Sequence, residues 1–451
     1  MNARASVADG RPPSDVSAAV GLTGLAGLCL WICVCHYWPQ IGAALDLPGP
    51  RERLTGPNAA LTGLVFTALP MVLWSVLVEK VHRRASTGID WDHPRPLSEV
   101  IEVSITKLAG LWATWAVIGA FYCLARWYWQ EPYLIAMRVL GAAALPLFLL
   151  SVPYVLWLDR VLVKPRDPCW HFGAMLIGRE PFDPDQVWIH LRAWAVKGFF
   201  TAFMIMIVPG GFANLVTPDW GSFLSSPVTL AGLLITLMFV IDEQIGSVGY
   251  ILTMKPLDAQ IRSANPYLAG WLAALLCYPP FQLMSPADRP LFYLTATHGD
   301  DNWVHVLAGH DALLWLWAGA LVMLTGIYAW ATVAFGIRFS NLTYRGVLTG
   351  GPYAFTRHPA YLSKNLFWWL ASMPFFVTNG STTDMVRNTF FLGCVSAIYF
   401  WRAKTEERHL LGEDQKYRDY HAWMQRNAPI TRLLAEVGQA IKGSRRTLPV
   451  E

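Results

Sequence analysis

Ten stretches of this chain are apolar over lengths suited to a bilayer: about 18–38, 59–79, 107–126, 135–158, 194–217, 228–252, 266–285, 312–337, 359–378 and 386–402. A helix needs roughly 20 apolar residues to cross the hydrocarbon layer. The expected fold is therefore all-α, a polytopic transmembrane helical bundle of about ten spans. Composition agrees, because 54% apolar, 13% aromatic and only 15% charged residues over 451 positions is too apolar for a soluble protein of this size. The first stretch follows Arg4, Asp9, Arg11 and Asp15 and is long enough to span, so it reads as an anchor and not a cleavable signal.

Sorted by alternate loops, all but six of the 35 Lys and Arg fall on the side of the two termini. By the positive-inside rule both termini face the cytoplasm, and an even number of spans requires the same. The net charge of +4 is thus explained by topology and anionic lipid, and it does not point to nucleic acid. Many of the 22 tryptophans, among them Trp38, Trp127, Trp129, Trp220 and Trp303, flank span ends as an interfacial belt; no basic groove accompanies them as base stacking would require. The seven cysteines form no Cys-x-x-Cys pair and read as packing residues, with Cys33-x-Cys35 the one redox alternative.

The chain divides near residue 311. Residues 1–310 hold seven apolar spans joined by long loops at 80–106 and 159–193, with no internal repeat; they carry no assigned function. Residues 311–451 hold three spans, two short cytoplasmic motifs and an amphipathic tail.

The first motif is Gly350-Gly351-Pro352-Tyr353-Ala354-Phe355-Thr356-Arg357-His358-Pro359-Ala360-Tyr361. Pro359 suits the first position of a helix, where its missing N–H costs nothing. Arg357 and His358 then stand at a helix threshold, where free N–H groups, the helix dipole and a guanidinium fork together favour a carboxylate or phosphate. The plainer reading is that Arg357 snorkels to headgroups and His358 ends a loop. The second motif follows the last span: Arg402, Glu406, Glu407, then Tyr417, Tyr420 and His421. Arg402 and Glu406 face each other on a helix, and Glu407 is turned away from Arg402.

In that order, Gly351-Pro352-Tyr353, Arg357-His358-Pro359-x-Tyr361, a hydrophobic hairpin, Arg402-x-x-x-Glu406-Glu407 and Tyr417-x-x-Tyr420 resemble the isoprenylcysteine carboxyl methyltransferase family, which groups with the membrane phospholipid methyltransferases. The resemblance covers about residues 312–430. It implies an S-adenosylmethionine-dependent methyltransferase, with an O-methyl product the expected chemistry. Tyr353, Arg357, His358, Pro359, Tyr361, Glu407 and Tyr417 would line the cofactor side. Arg402 and Glu407 would be the catalytic pair, Arg402 orienting the carboxylate of a prenylcysteine-like or lipid acceptor. An ionised carboxylate needs no base; an amine or hydroxyl would, with His358, Glu407 or His421 as candidates. No metal is implied. Sterol reductases resemble the same module and would make this an NADPH-dependent membrane reductase.

Asp242 and Glu243 interrupt the span 228–252, where acidic residues are costly unless they face protein or water. They read either as an interhelical hydrogen-bond cluster or as part of a substrate or proton pathway. The pathway reading makes the chain a transporter or lipid-binding protein with a vestigial C-terminal unit. Pro209-Gly210-Gly211 suggests a kink in span 194–217. The segment 286–311 carries His298, Asp300, Asp301, His305, His310 and Asp311, which read as solvated, with a metal site as the alternative.

Overall fold

The computed structural model describes residues 10–281, 303–376, 381–433 and residue 436. They form an all-α bundle: α1 (Ala18–His36), α2 (Trp38–Ala44), α3 (Pro57–Leu73), α4 (Leu97–Leu124), α5 (Leu134–Val161), α6 (Pro168–Ile177), α7 (Pro184–Val216), α8 (Pro227–Ile251), α9 (Leu268–Leu275), α10 (Trp303–Val306), α11 (Asp311–Phe335), α12 (Pro359–Ser372), α13 (Thr382–Glu413) and α14 (Gln415–Asn427). Local chemistry sets many of the starts. The side chains of Ser17, Asp183, Ser226 and Ser381 each accept a first-turn N–H, and Pro57, Pro184, Pro227 and Pro359 open their helices.

Seven helices are long and apolar enough to cross a membrane: Ala18–His36, Pro57–Val78, Leu97–Leu124, Leu134–Val161, Pro184–Val216, Pro227–Ile251 and Asp311–Arg338. The chain is a helical membrane protein. The other three expected stretches differ from the expectation of regular 20-residue spans. In 266–285 the described part holds only the eight-residue α9, and Pro279-Pro280 cannot continue a helix. α12 stops after 14 residues at Met373, which takes a left-handed conformation before Pro374. α13 runs for 32 residues, but its C-terminal part from Arg402 onward is charged.

The central core joins α1, α3, α7, α8 and α11 through Leu28, Met71, Phe212, Val240, Ile245 and Val333. α1 approaches its neighbours through glycines: a Cβ at Gly21 would stand 1.8 Å from the Val333 carbonyl oxygen, and one at Gly27 would stand 2.0 Å from that of Phe66. Backbone contact of this kind holds membrane helices together where no hydrophobic driving force separates helix from lipid. On the opposite flank α5 leaves Leu145, Leu147, Leu149 and Leu150 exposed, as a lipid-facing helix does.

One end of the bundle is stitched by polar contacts. After α11 the chain forms β2 (Thr343–Tyr344), antiparallel to β1 (Ser263–Ala264). The buried Arg345 then donates to the carbonyl oxygens of Gly249, Ile337, Phe339, Leu252 and Ala259. This guanidinium pins the loop that leads to the first motif against the end of α8.

Candidate functional site

Gly351 has φ +61°, a left-handed backbone in which a side chain would be strained, and it opens the turn Gly351–Ala354. That turn delivers Tyr353 into the core, edge-on to Phe335 with ring centroids 5.2 Å apart. The Tyr353 carbonyl accepts the Tyr420 hydroxyl of α14 at 2.7 Å. α14 is amphipathic, and it buries Tyr417, Tyr420, Trp423 and Met424 against Tyr344 and Val347. Its first turn is strapped to the N-terminal segment by Lys416 Nζ and Asp15 Oδ1 at 2.5 Å.

Beneath α14 lies a cavity of ≈ 380 Å³, within the range of small-molecule sites. At its edge Arg357 Nε stands 2.8 Å from Glu407 Oε1, His358 Nε2 stands 3.1 Å from the same oxygen, and Lys404 Nζ stands 2.9 Å from Oε2. Burial alone would raise the Glu407 pKa. The hydrogen bond and charge of His358, with Arg357 and Lys404, outweigh it and hold the carboxyl down at about 2. Arg357 Nη1 is buried and has no protein partner among the described residues.

On the next turn of α12, the Tyr361 hydroxyl donates to the Glu406 carboxylate. The Arg402 guanidinium lies over the rings of Tyr361 and Tyr278, at 4.9 and 5.6 Å, and donates from Nη2 to Asn341 Oδ1 at 3.1 Å. Its Nε is buried without a partner among the described residues. Asn341 is oriented by donating to the hydroxyls of Tyr250 and Tyr278. The cavity continues inward to Asp242, Glu243, Tyr328, Thr332 and Lys364, with Phe203, Met204, Ile207, Phe239 and Phe335 as apolar wall.

Six of the eight residues expected at the site line this cavity: Tyr353, Arg357, His358, Tyr361, Arg402 and Tyr417. Pro359 does not line it, since it forms the buried first turn of α12. Glu407 does not line it either: its carboxylate is held by Arg357, His358 and Lys404, and the adjacent Glu406 faces the cavity. The expected pairing of Arg402 with Glu406 is replaced by Arg402–Asn341 and Tyr361–Glu406. His421 stays outside the lining. Of the 286–311 segment, His298, Asp300 and Asp301 lie outside the described residues, and among the described residues no three His, Cys, Asp or Glu side chains gather as for a metal.

Sequence reasoning missed Lys364, Tyr328, Tyr278 and Asn341. Lys364 had a signal, a lysine inside an apolar helix at i+3 from Tyr361, on the face that Tyr361 already occupies. Tyr278 and Asn341 had none, because they arrive from segments far away in the chain. The lining also draws on both sides of residue 310, through α7, α8 and Tyr278. Comparison with protein-family models, with curated proteins and with solved structures finds no match to this chain.

Proposed function

We propose that this chain is a membrane methyltransferase that uses S-adenosylmethionine to methylate a lipophilic acceptor at the cytoplasmic face. The observation that carries the reading is the meeting of the two motifs: Arg357 and His358 on one side of the hairpin share a carboxylate with Glu407 on the other, at the rim of a cavity that reaches into the bundle. The lining fits such a donor. The orphaned Arg357 Nη1 suits its carboxylate, Glu406 suits its ammonium, and the faces of Tyr353, Tyr361 and Tyr417 suit an adenine. When bound, the donor supplies an electrophilic methyl group on a sulfonium.

The chain's own residues do the positioning. Glu407 fixes the rotamers of Arg357 and His358, so it is a positioning residue and not a ligand-contacting one. Arg402, braced by Asn341 and two tyrosine rings, presents fixed positive charge on the acceptor side. α14 covers one mouth of the cavity with Tyr417 and Tyr420, and water kept out there would strengthen each of these interactions. Orientation and desolvation then provide most of the rate enhancement for an acceptor that is already ionised.

Contacts at one end of the bundle support ten crossings with both termini on the cytoplasmic side. Asp15 meets Val347 and Lys416; Arg84 meets Asp15; Ile89 bridges Leu162; Lys255 meets Asp167; and β1 pairs with β2. Each pair of contacts brackets an even number of crossings, and this end carries most of the cationic loops.

Titration calorimetry of the purified protein tests the function. Saturable binding of S-adenosylmethionine and of its demethylated product is expected, with loss on Arg357→Ala. No binding at millimolar concentration removes the proposal, and displacement by NADPH at matched concentration transfers it to the reductase reading.

A further inference from the structure

The inner arm of the cavity is built from residues outside the two motifs, and one of its buried carboxyl oxygens has no partner among the described residues. Asp242 accepts the Tyr328 hydroxyl at 2.6 Å and the Thr332 hydroxyl. Glu243 lines the same arm, yet among the described residues its carboxylate makes no hydrogen bond or ion pair, and Oε2 is completely buried. The one cation of the arm, Lys364, reaches the Tyr328 hydroxyl at 3.5 Å and the rings of Tyr328 and Phe239 at 4.8 and 6.0 Å, and ion-pairs with neither carboxylate. The guanidiniums of the lining are engaged elsewhere: Arg338 by Asp258, Arg345 by five carbonyls, Arg402 by Asn341, and Arg357, at the rim, by Glu407. Two carboxyl groups thus face one ammonium in this arm, and the buried Glu243 Oε2 lacks a hydrogen-bond donor among the described residues, which is costly inside a membrane span.

Space is provided for that carboxylate. A Cβ at Gly211 of α7 would stand 2.5 Å from Glu243 Oε2, so the side chain occupies the gap that this glycine leaves. The surroundings suit an organic cation better than a metal ion. Both oxygens of Asp242 already accept hydroxyls, and the wall is aromatic and aliphatic, without the six or more oxygen ligands a hard cation takes. Aromatic faces attract ammonium groups, and Phe203, Met204 and Ile207 continue as an apolar lane.

We propose that this arm binds the ammonium group of an amphiphilic amine, with Asp242 and Glu243 as counter-charges and Phe203 and Ile207 against its hydrocarbon chain. This goes beyond the methyl-transfer reading, and amine binding stands whether or not S-adenosylmethionine binds.

Equilibrium binding of radiolabelled dodecylamine, dodecanol and laurate to the full chain in lipid nanodiscs, corrected for empty discs, tests it. Dodecylamine is expected to bind at least about tenfold more tightly than dodecanol or laurate. Glu243→Gln and Asp242→Asn should each weaken the amine about tenfold and leave dodecanol unchanged. Gly211→Ala, which displaces the carboxylate and keeps its charge, should weaken the amine in protein whose thermal unfolding is unaltered. Lys364→Met, which removes the competing ammonium, should tighten amine binding, an effect no merely structural role predicts. Equal binding of amine and alcohol, insensitivity to Glu243→Gln, weakening by Lys364→Met, or displacement by sodium but not potassium would each overturn the proposal. S-adenosylmethionine titration of the same preparations keeps the two readings apart: amine binding without donor binding removes only the methyltransferase, and the converse removes only the amine site.

Discussion

Glu407 is where the two motifs touch, and its three partners are not equivalent. Its side chain is 7% exposed and that of Arg357 13%, whereas Lys404 is 52% exposed. Removing a charge from a buried pair strands its partner, at a cost of about 3 kcal/mol, while a half-exposed pair contributes under about 1 kcal/mol. Glu407→Gln should therefore lower thermal stability and weaken donor binding at least about tenfold, with Lys404→Met close to wild type in both; equal effects of the two would refute the assignment. The pH dependence follows from the depressed pKa. A carboxyl moved from its ordinary 4.5 to about 2 contributes stability that is complete above 4.5 and is lost only as pH falls toward 2. Donor affinity measured from pH 5 to 8 should carry no Glu407 limb, and any inflection there belongs to another group. Arg345 acts at the same scale but through the fold: Arg345→Met leaves five carbonyl oxygens without their donor and should destabilise by about 3 kcal/mol or more in detergent melts.

At the scale of elements, glycine placement separates helices that must touch from helices that face lipid. Gly27 of α1 meets the α3 backbone, whereas Gly141 of α5 has open space around it. Gly27→Val should cost about 2 kcal/mol or more by forcing α1 from α3, and Gly141→Val should stay within about 0.5 kcal/mol. Thermal unfolding of the two variants compares them directly. The same scale explains why α12 and α13 were harder to delimit than α1 or α8. α12 is broken at Met373-Pro374 and α13 changes character at Arg402, so hydropathy alone mixes an apolar segment with a charged one in a single helix.

At the scale of the whole molecule, the site is a product of both halves of the chain. α8 and Tyr278 supply walls for motifs that lie beyond residue 350, and β1–β2 and Arg345 hold the halves in register. The arrangement predicts a labelling pattern. In a cysteine-free background, a membrane-impermeant maleimide should modify Asp92→Cys and Arg418→Cys from the same side and Glu52→Cys from the other, all three positions being exposed. Labelling of Asp92→Cys and Arg418→Cys from opposite sides would mean an odd number of crossings between them.

The sequence by itself determined the helical membrane class, seven spans, five of them nearly to their ends and two (α4 and α7) with starts ten residues late, and the two motifs, because transfer free energy, caps and N-terminal prolines act within a few residues of where they are written. The tertiary structure decided which side chains share the cavity. Glu406 and Glu407 are neighbours in sequence but point about 100° apart on a helix, and the rotation of α13 about its axis comes from packing on α9 and α12. That packing turns Glu406 inward and Glu407 onto Arg357, and it brings Tyr278, Asn341 and the α8 carboxylates to a site whose local sequence holds no trace of them.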